Sequence, residues 1–342
     1  MYTDFLDELS KISLSLEELY FRFGYSKFKM NRFEPYSFYM ENEKFLGDSR
    51  IITIQSPTGK LLALKPDVTM SIVKNHKTYE KSKIYYNEPV FKVPVGGNEF
   101  REIRQIGLEY IGEVSLYQTI EVLNLAIKSL KMIGNFKLII SDMSIINLLF
   151  EKYKIAHNRR QTIIKYLRQK NIHDLEKFLQ GQPELEAFKK LLLLPADFKR
   201  AITNMSEDAL YSCCKDNLDT LLELANIMEQ ICNMSNIMFD FSQVVGTEYY
   251  DGLTFTGYIS GLPNKVLSGG RYDNLLRKMG EKEKSAIGFA VYLSEISKIH
   301  EKVLTKKIIK YTDSSIVETL KQANELYEAG INFCVRKEEN ND

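Results

Sequence analysis

Gln105 and Glu109 are the side chains best placed to bind a ligand. In the run IYYNEPVFKVPVGGNEFREIRQIGLEYIG, from Ile84 to Gly112, Gln105, Gly107 and Glu109 fall on one face of a strand. Ile106, Leu108 and Tyr110 fall on the other, so one face packs into a core while the opposite face carries an amide, a gap and a carboxylate. A solvent-facing strand accounts for Gln and Glu alone. It gains nothing from losing a side chain at Gly107, and the glycine therefore points to a pocket floor. A further carboxylate stands at a junction: LLALKPDVTMSIVKN reads as a strand that stops at Pro66 and turns into a helix, with Asp67 and Thr69 at the turn. Asp67 suits helix capping and a charge-assisted contact to a ligand ammonium group equally well, and spacing leaves both open.

The stretch VGTEYYDGLTFTGYISGLPNKVLSGGRYD, from Val245 to Asp273, adds a second element. Leu253, Phe255 and Ile259 alternate with Thr254, Thr256 and Tyr258, which predicts a half-buried strand. Gly269 and Gly270 remove side chains where a ligand or a neighbouring strand must come close to the backbone. Asp273 is placed to cap a helix through Leu275 and Leu276. By itself this is a hairpin followed by a helix.

Taken in order, KPDVT, PVFK with FREIRQIGLEYIG, GTEYYDGLTFTGY, SGGRYD and AIGFAVYLSEI resemble the catalytic core of histidyl-tRNA synthetases. That family carries RPExT, a motif 2 with FR followed by HQxGxExxG, the histidine-specific RGLDYYTGTVFE, then GGRYD and GFAxGLERL. The resemblance runs with gaps from about Leu16 to Ile299. It implies that Asp67 with Thr69, Gln105 and Glu109 meet the α-amino group of histidine, and that Tyr249, Tyr250 and Tyr272 line or close the imidazole pocket. Asp67 stands where the family has glutamate, one methylene longer.

The departures lie where the synthetases handle ATP. The motif 2 arginine corresponds to Lys92, which keeps charge but loses the planar fork. Val93, Pro94 and Val95 follow in place of a charged cluster, the arginine opening RGLDYY corresponds to Val245, and the motif 3 arginine corresponds to Glu295. Adenylate formation brings a carboxylate against a polyphosphate, and losing one preorganised donor typically costs a factor of ~10²–10³. Two arginines are absent and a third is softened, so no useful aminoacylation and no catalytic residue are expected. A chain that keeps ligand groups and loses catalytic ones is similar to the regulatory subunits of ATP phosphoribosyltransferase, silent paralogues of histidyl-tRNA synthetase. That resemblance implies a partner, the short-form catalytic subunit, together with a dimeric core inside a hetero-octamer. It also implies histidine as effector, and neither tRNA nor cofactor. The alternatives are a divergent histidyl-tRNA synthetase or other amino-acid-activating ligase, and an RNA-binding regulator.

The elements that must position these residues indicate an α+β fold. The resemblance makes it a class II synthetase-like antiparallel sheet flanked by helices, with a helical insertion and a truncated C-terminal α/β unit. Residues 1–143 form the first part of the core, beginning with an amphipathic helix to about Phe23. The dimer motif of the family falls near FKMNRFEPYSFY, with Asn31 at its proline position and Pro35 nearby. Residues 144–238 repeat apolar positions at helical spacing and form the insertion; its basic cluster, His157, Arg159, Arg160, Lys165 and Arg168, reads as a solvated helix face. Residues 239–301 complete the core, and 302–342 read as strand, helix, strand, too little to stand alone.

Composition sets outer bounds. The 342 residues carry 46 Lys plus Arg against 45 Asp plus Glu, so there is no basic excess of the kind that supports tRNA binding. Cys213, Cys214, Cys232 and Cys334 lack paired metal spacing and read as reduced thiols. The N-terminus is acidic and amphipathic, unlike a secretory signal, and no apolar run approaches the ~20 residues that span a bilayer. A cytoplasmic protein without membrane contact is expected. Gly96-Gly97 is not followed by the lysine and hydroxyl of a phosphate-binding loop and reads as a flexible loop.

Overall fold

A computed structural model describes residues 6–46, 50–75, 82–93, 99–244, 249–281, 284–296, 307–312, 314–331 and 333–338. It divides into two compact units, 1–299 and 300–342.

The strands of the first unit are β1 (Ser26–Lys27), β2 (Phe33–Pro35), β3 (Thr53–Gln55), β4 (Leu61–Leu64), β5 (Ser82–Lys92), β6 (Arg101–Gly112), β7 (Phe136–Asp142), β8 (Ile237–Phe239), β9 (Leu253–Ile259), β10 (Lys265–Arg271) and β11 (Ser285–Tyr292). Eight of them form one sheet in the order β1-β5-β6-β11-β10-β9-β7-β8. Pairing is antiparallel from β5 to β7 and parallel only at the two edges, β1 with β5 and β7 with β8. A separate three-stranded sheet runs β2-β4-β3.

Helices cover the large sheet. α1 (Glu8–Arg22) starts where the Asp7 carboxylate accepts from Ser10 N at 2.6 Å and ends before Gly24, whose φ of 81° suits glycine. Further on come α2 (Tyr36–Glu41), α3 (Val68–Asn75) and α4 (Leu116–Ile133), the last opened by a Ser115/Gln118 capping box. Leu16 and Tyr20 of α1 and Leu123, Ala126 and Leu130 of α4 are fully buried in one core with Ile106, Leu108 and Phe289 of the sheet, and Tyr20 Oη meets Ser129 Oγ at 2.9 Å. The insertion supplies α5 (Met143–Lys152), α6 (His157–Arg168), α7 (Ile172–Phe178), α8 (Leu185–Leu192), α9 (Phe198–Ser206) and α10 (Lys215–Ile231). Their apolar faces join that same core, and the last residues of the stretch, Ile237 and Met238, already lie in β8.

The opposite face of the sheet holds a second core built on Tyr39, Phe45, Met70, Ile72, Tyr86, Val90 and Tyr272, with Leu275 and Leu276 of α11 (Asp273–Lys278). With helices on one side and this core on the other, β9 is buried along nearly its whole length, on both faces, and not on one as its alternation predicts. Thr254 and Thr256 are there covered by protein instead of water. Asp273 does not cap α11. It is the first helical residue, its carboxylate accepts from Ala286 N at 3.1 Å and Arg271 Nε at 2.9 Å, and Asp251 accepts from its N–H at 3.0 Å. The short α12 (Leu293–Ile296) follows β11.

The second unit is β12 (Lys307–Tyr311), α13 (Ile316–Glu328) and β13 (Phe333–Lys337), two parallel strands and their crossover helix around Ile309, Ala323 and Leu326. Among the described residues no helix is long and apolar enough to cross a membrane, and all four cysteines are free thiols.

Candidate ligand-binding site

A cavity of about 510 Å³ opens on the second-core side of the sheet, and Asp67, Thr69, Gln105, Glu109, Tyr249, Tyr250 and Tyr272 all line it. Their convergence follows from strand register. β6 and β11 run antiparallel with Glu109 opposite Gly288 and Gln105 opposite Tyr292, so period-two alternation aims all four positions at one face. Every residue of β6 from Gln105 onward is buried, which removes solvent exposure as the reason for an amide and a carboxylate there. Gly107 does not leave an open floor. A Cβ there would lie 2.6 Å from Tyr86 Oη, and the ring of Tyr86, reaching over from β5, fills the space and lines the cavity itself.

Glu109 is 2 % exposed and accepts hydrogen bonds from Thr69 Oγ1 at 2.8 Å and Tyr272 Oη at 2.6 Å. Burial pushes its carboxyl up to about 8, against the two donated hydrogen bonds, with the Asp67 charge adding to the rise. Asp67 does both things its position allows: Oδ1 caps α3 by accepting from Met70 N at 2.8 Å, and the residue lines the cavity. Burial raises its carboxyl too, opposed by the Met70 bond and the Lys92 ammonium. Two residues upstream, the fully buried Lys65 side chain donates to Glu88 Oε2 at 2.9 Å.

Aromatic rings form the walls. Tyr249 packs on Tyr250 with centroids 4.8 Å apart, on Tyr272 at 6.1 Å and on Phe45 at 6.5 Å. Burial holds the hydroxyls of Tyr249, Tyr250 and Tyr272 well above the ordinary tyrosine value, so these rings are neutral donors. The Gly269-Gly270 pair makes room for rings on both sides: a Cβ at Gly269 would lie 2.7 Å from Phe255, and one at Gly270 2.8 Å from Tyr250. The arrangement suits a small ligand with a cationic nitrogen at the Asp67–Glu109 end and a flat group among the tyrosines.

Of the three positions aligned with synthetase arginines, Lys92 lines the cavity at the end of β5. Glu295 lies in α12, away from the lining, and accepts from Asn264 Nδ2 at 2.9 Å. Val245 lies outside the described residues, as do Pro94 and Val95 and the Gly96-Gly97 pair.

Sequence reasoning missed several lining residues. Gly288, Ala290 and Tyr292 share a face of β11, a signal present in the alternation of AIGFAVYL. Gln161 and Arg168, seven apart on α6, reach the cavity from the insertion, and Lys265 reaches it from the start of β10. Of the basic cluster, His157, Lys165 and Arg168 are exposed as expected of a solvated face, whereas Arg159 and Arg160 are partly buried. Arg159 meets Glu184 at 3.5 Å and stacks over Phe178, and Arg160 donates to the Ile155 carbonyl at 2.9 Å. A second cleft of about 500 Å³ beside Asp142, Asp216, Asp251, Arg271 and Asp273 has two of its carboxylates in ion pairs: Asp273 with Arg271 at 2.9 Å and Asp251 with Arg277 at 2.6 Å.

Sheet order, the long β5–β6 hairpin and the glycine-bearing β10–β11 pair make this a class II aminoacyl-tRNA synthetase-like fold. The family described as histidyl-tRNA synthetase matches residues 4–296, and the chain belongs to that family. It is similar to an ATP phosphoribosyltransferase regulatory subunit of Clostridium botulinum, 29 % identical over 316 residues, covering 86 % of this chain and 73 % of the relative. Among solved structures it resembles a Bacillus halodurans protein described as an ATP phosphoribosyltransferase regulatory subunit/histidyl-tRNA synthetase (TM-score 0.78, 22 % identity, covering 96 % of this chain and 88 % of that one). It also resembles a chain of the ATP phosphoribosyl transferase HisG:HisZ complex from Thermotoga maritima (TM-score 0.67, 18 % identity, covering 84 % and 98 %).

Proposed function

We propose that this chain is the non-catalytic regulatory subunit of an ATP phosphoribosyltransferase, activating a short catalytic subunit in the first step of histidine biosynthesis and carrying feedback inhibition by histidine. The observation that carries this reading is a cavity that retains Asp67, Thr69, Gln105, Glu109 and three tyrosines, while the positions of the synthetase arginines hold Lys92, Val245 and Glu295. The ammonium of histidine would sit between Asp67 and Glu109, with its imidazole among Tyr249, Tyr250 and Tyr272. The names of the relatives support the partner.

Coupling follows from linkage. If histidine changes the affinity of this chain for the catalytic partner, the partner must change histidine affinity by the same factor. Self-association is part of the proposal: the outer face of the β2-β4-β3 sheet presents Phe33 and Ile54, each about half exposed, as an apolar surface for a second copy in a hetero-octamer. The complex would work in the cytoplasm without tRNA.

The test is phosphoribosyl-ATP formation by the short catalytic chain, with and without this protein, then with histidine. Activation that histidine reverses is the expected result. An indifferent catalytic chain, or histidine-dependent ATP–pyrophosphate exchange at the rate of an ordinary synthetase, would overturn the proposal.

A further inference from the structure

The insertion carries a two-thiol cluster apart from the ligand cavity. Cys213 and Cys214 are consecutive in the chain, and their Sγ atoms stand 3.6 Å apart. They end a 3₁₀ turn, Ala209–Cys214, and Cys214 is the capping position from which α10 starts. Neighbouring residues of a helical turn do not face each other. Here the chain changes course at Cys214, with φ of −104° and ψ of 10°, and the two sulfurs meet. They differ in access. Cys213 is exposed, whereas Cys214 is fully buried in the larger core and directs its thiol to the Ile145 carbonyl of α5, 3.8 Å away. Burial, and after it the Cys213 sulfur, push the Cys214 thiol up to about 12. The Lys152 ammonium, which donates to the Leu210 carbonyl at 2.7 Å, opposes that rise.

One exposed and one buried thiol in contact suit thiol–disulfide exchange. The exposed sulfur can meet an oxidant in solution, and the buried one can then attack the neighbour that has reacted. Among the described residues no group of three or more His, Cys, Asp or Glu is placed to hold a metal ion, so the pair is not part of such a cluster there. Bonded sulfurs lie about 2.05 Å apart, so closure draws the two together by about 1.6 Å. Consecutive Cα atoms are held about 3.8 Å apart, short of the roughly 4.4–6.8 Å usual across a disulfide. The bridge is therefore strained and readily reduced. Its strain falls on the α10 side, because the turn is anchored before it: Tyr211 Oη donates to the Ala187 carbonyl at 2.8 Å. Beyond it, the first turn of α10 is tied to α5 by Asn217 Nδ2, which donates to Ser144 Oγ at 2.7 Å.

We propose that Cys213 and Cys214 form a reversible oxidation site for low-molecular-weight disulfides, and that its closure loosens the junction of α10 with α5. The Cys213 thiolate attacks one sulfur of RSSR, forms the mixed disulfide Cys213–S–SR and expels RS⁻. Local opening of the turn lets the Cys214 thiol lose its proton to solvent. Its thiolate then attacks the Cys213 sulfur and expels the second RS⁻. Two protein thiols are oxidised, RSSR is reduced to two RSH, and the two protons released by the protein balance the two thiolates. Cys214 Sγ thereby leaves the Ile145 carbonyl, and the pull reaches Asn217 three residues on. Neither histidine nor a catalytic partner enters these steps, so the site stands or falls independently of them.

The experiment exposes the full chain to glutathione disulfide, quenches by alkylation and maps tryptic peptides by mass spectrometry. Cleavage after Arg200 and Lys215 puts Cys213 and Cys214 on one peptide, 201–215, apart from Cys232 and Cys334. The expected product is that peptide with two hydrogens lost and no alkyl group, restored to the dithiol by an about tenfold excess of reduced glutathione. In Cys213→Ser, whose exposed position tolerates the change, Cys214 should stay unmodified. In Cys214→Ala, which leaves a small apolar group in the core, the adduct on Cys213 should persist at no less than about tenfold the parent's level. Hydrogen exchange at residues 214–220 should quicken at least about tenfold in the bridged chain and stay unchanged in treated Cys213→Ser. Four outcomes overturn the proposal: a 201–215 peptide that stays fully alkylated, an adduct that the parent retains as long as Cys214→Ala does, a Cys214 that reacts as fast without Cys213, or a bridge that leaves exchange in α10 unchanged.

Discussion

Gly288 lies directly opposite Glu109 across the β6–β11 ladder, and a Cβ on Gly288 would come within 1.8 Å of Glu109 Oε2 and 2.4 Å of the Leu108 carbonyl oxygen. The carboxylate thus occupies space that exists because residue 288 has no side chain, and its two hydrogen bonds, from Thr69 and Tyr272, fix it there.

Gly288→Ala therefore moves Glu109 off both donors. The carboxylate can swing away, but the Leu108 carbonyl belongs to the ladder and cannot. Overpacking of this kind costs about 1–3 kcal/mol. The expected outcome is a loss of that size in urea denaturation and at least about tenfold weaker histidine binding by calorimetry, while Gly280→Ala, at a turn with φ of 97° and open space around it, costs stability and leaves histidine affinity unchanged.

Glu109 makes stability and ligand affinity respond to pH with opposite signs. Its folded-state value of about 8 exceeds the ordinary 4.5, so between these pH values the folded protein holds a proton that the unfolded chain has released. Stability from this group is undiminished below pH 4.5 and falls as pH rises toward 8, by at most about 1.4 kcal/mol per unit. Glu109→Gln should flatten the part of the curve it causes, measured as the difference from the parent in denaturation series from pH 5.5 to 7.5. An ammonium ligand requires the ionised form, so histidine affinity should rise with pH toward 8 and binding should release a proton, detectable in buffers of different ionisation enthalpy.

Much of this arrangement was legible in the residues. Alternation places Gln105 and Glu109 together on β6, and a strand ending at Pro66 delivers Asp67 and Thr69 to the same place, because period two and a proline stop are local rules. The order of the motifs carried the fold. What period and propensity do not encode is which distant element arrives opposite: β5 sets Tyr86 across Gly107, and the packing of α6 places Arg168, exposed as its spacing predicts, where it also lines the cavity. Asp273 has the residue type of a cap, yet strand pairing brings Ala286 N within its reach and Asp251 takes over its N–H.

Lys65 tests how the Asp67 turn is held. Its side chain is fully buried and pairs with Glu88 at 2.9 Å, whose side chain is 14 % exposed. Removing one partner of a buried pair leaves an uncompensated charge, typically at about 3–5 kcal/mol, whereas replacing both by apolar groups is often neutral. Lys65→Met should thus destabilise strongly, and Lys65→Met/Glu88→Leu should recover most of the loss. Denaturant midpoints of the two variants decide the matter: equal losses would show that the pair does not act as a unit.

Tyr272 and Asp67 push the Glu109 carboxyl in opposite directions, which gives a paired prediction. The Tyr272 hydroxyl, 2.6 Å from Oε2, favours the ionised form, while the Asp67 charge disfavours it. Tyr272→Phe removes a donor from a buried carboxylate and keeps the ring that packs on Tyr249. Its Glu109 should therefore ionise above about 8, moving the alkaline plateau of histidine affinity to higher pH. Asp67→Asn keeps a side-chain oxygen for the Met70 cap and removes the repelling charge, so its plateau should move to lower pH even though one ligand contact is weakened. A titration of histidine affinity from pH 6 to 9 on the two variants reads the sign of each shift. Absence of movement in both variants would mean that burial alone sets the Glu109 ionisation and that neither neighbour tunes it; movement of both in the same direction would overturn the sign assigned to one of them.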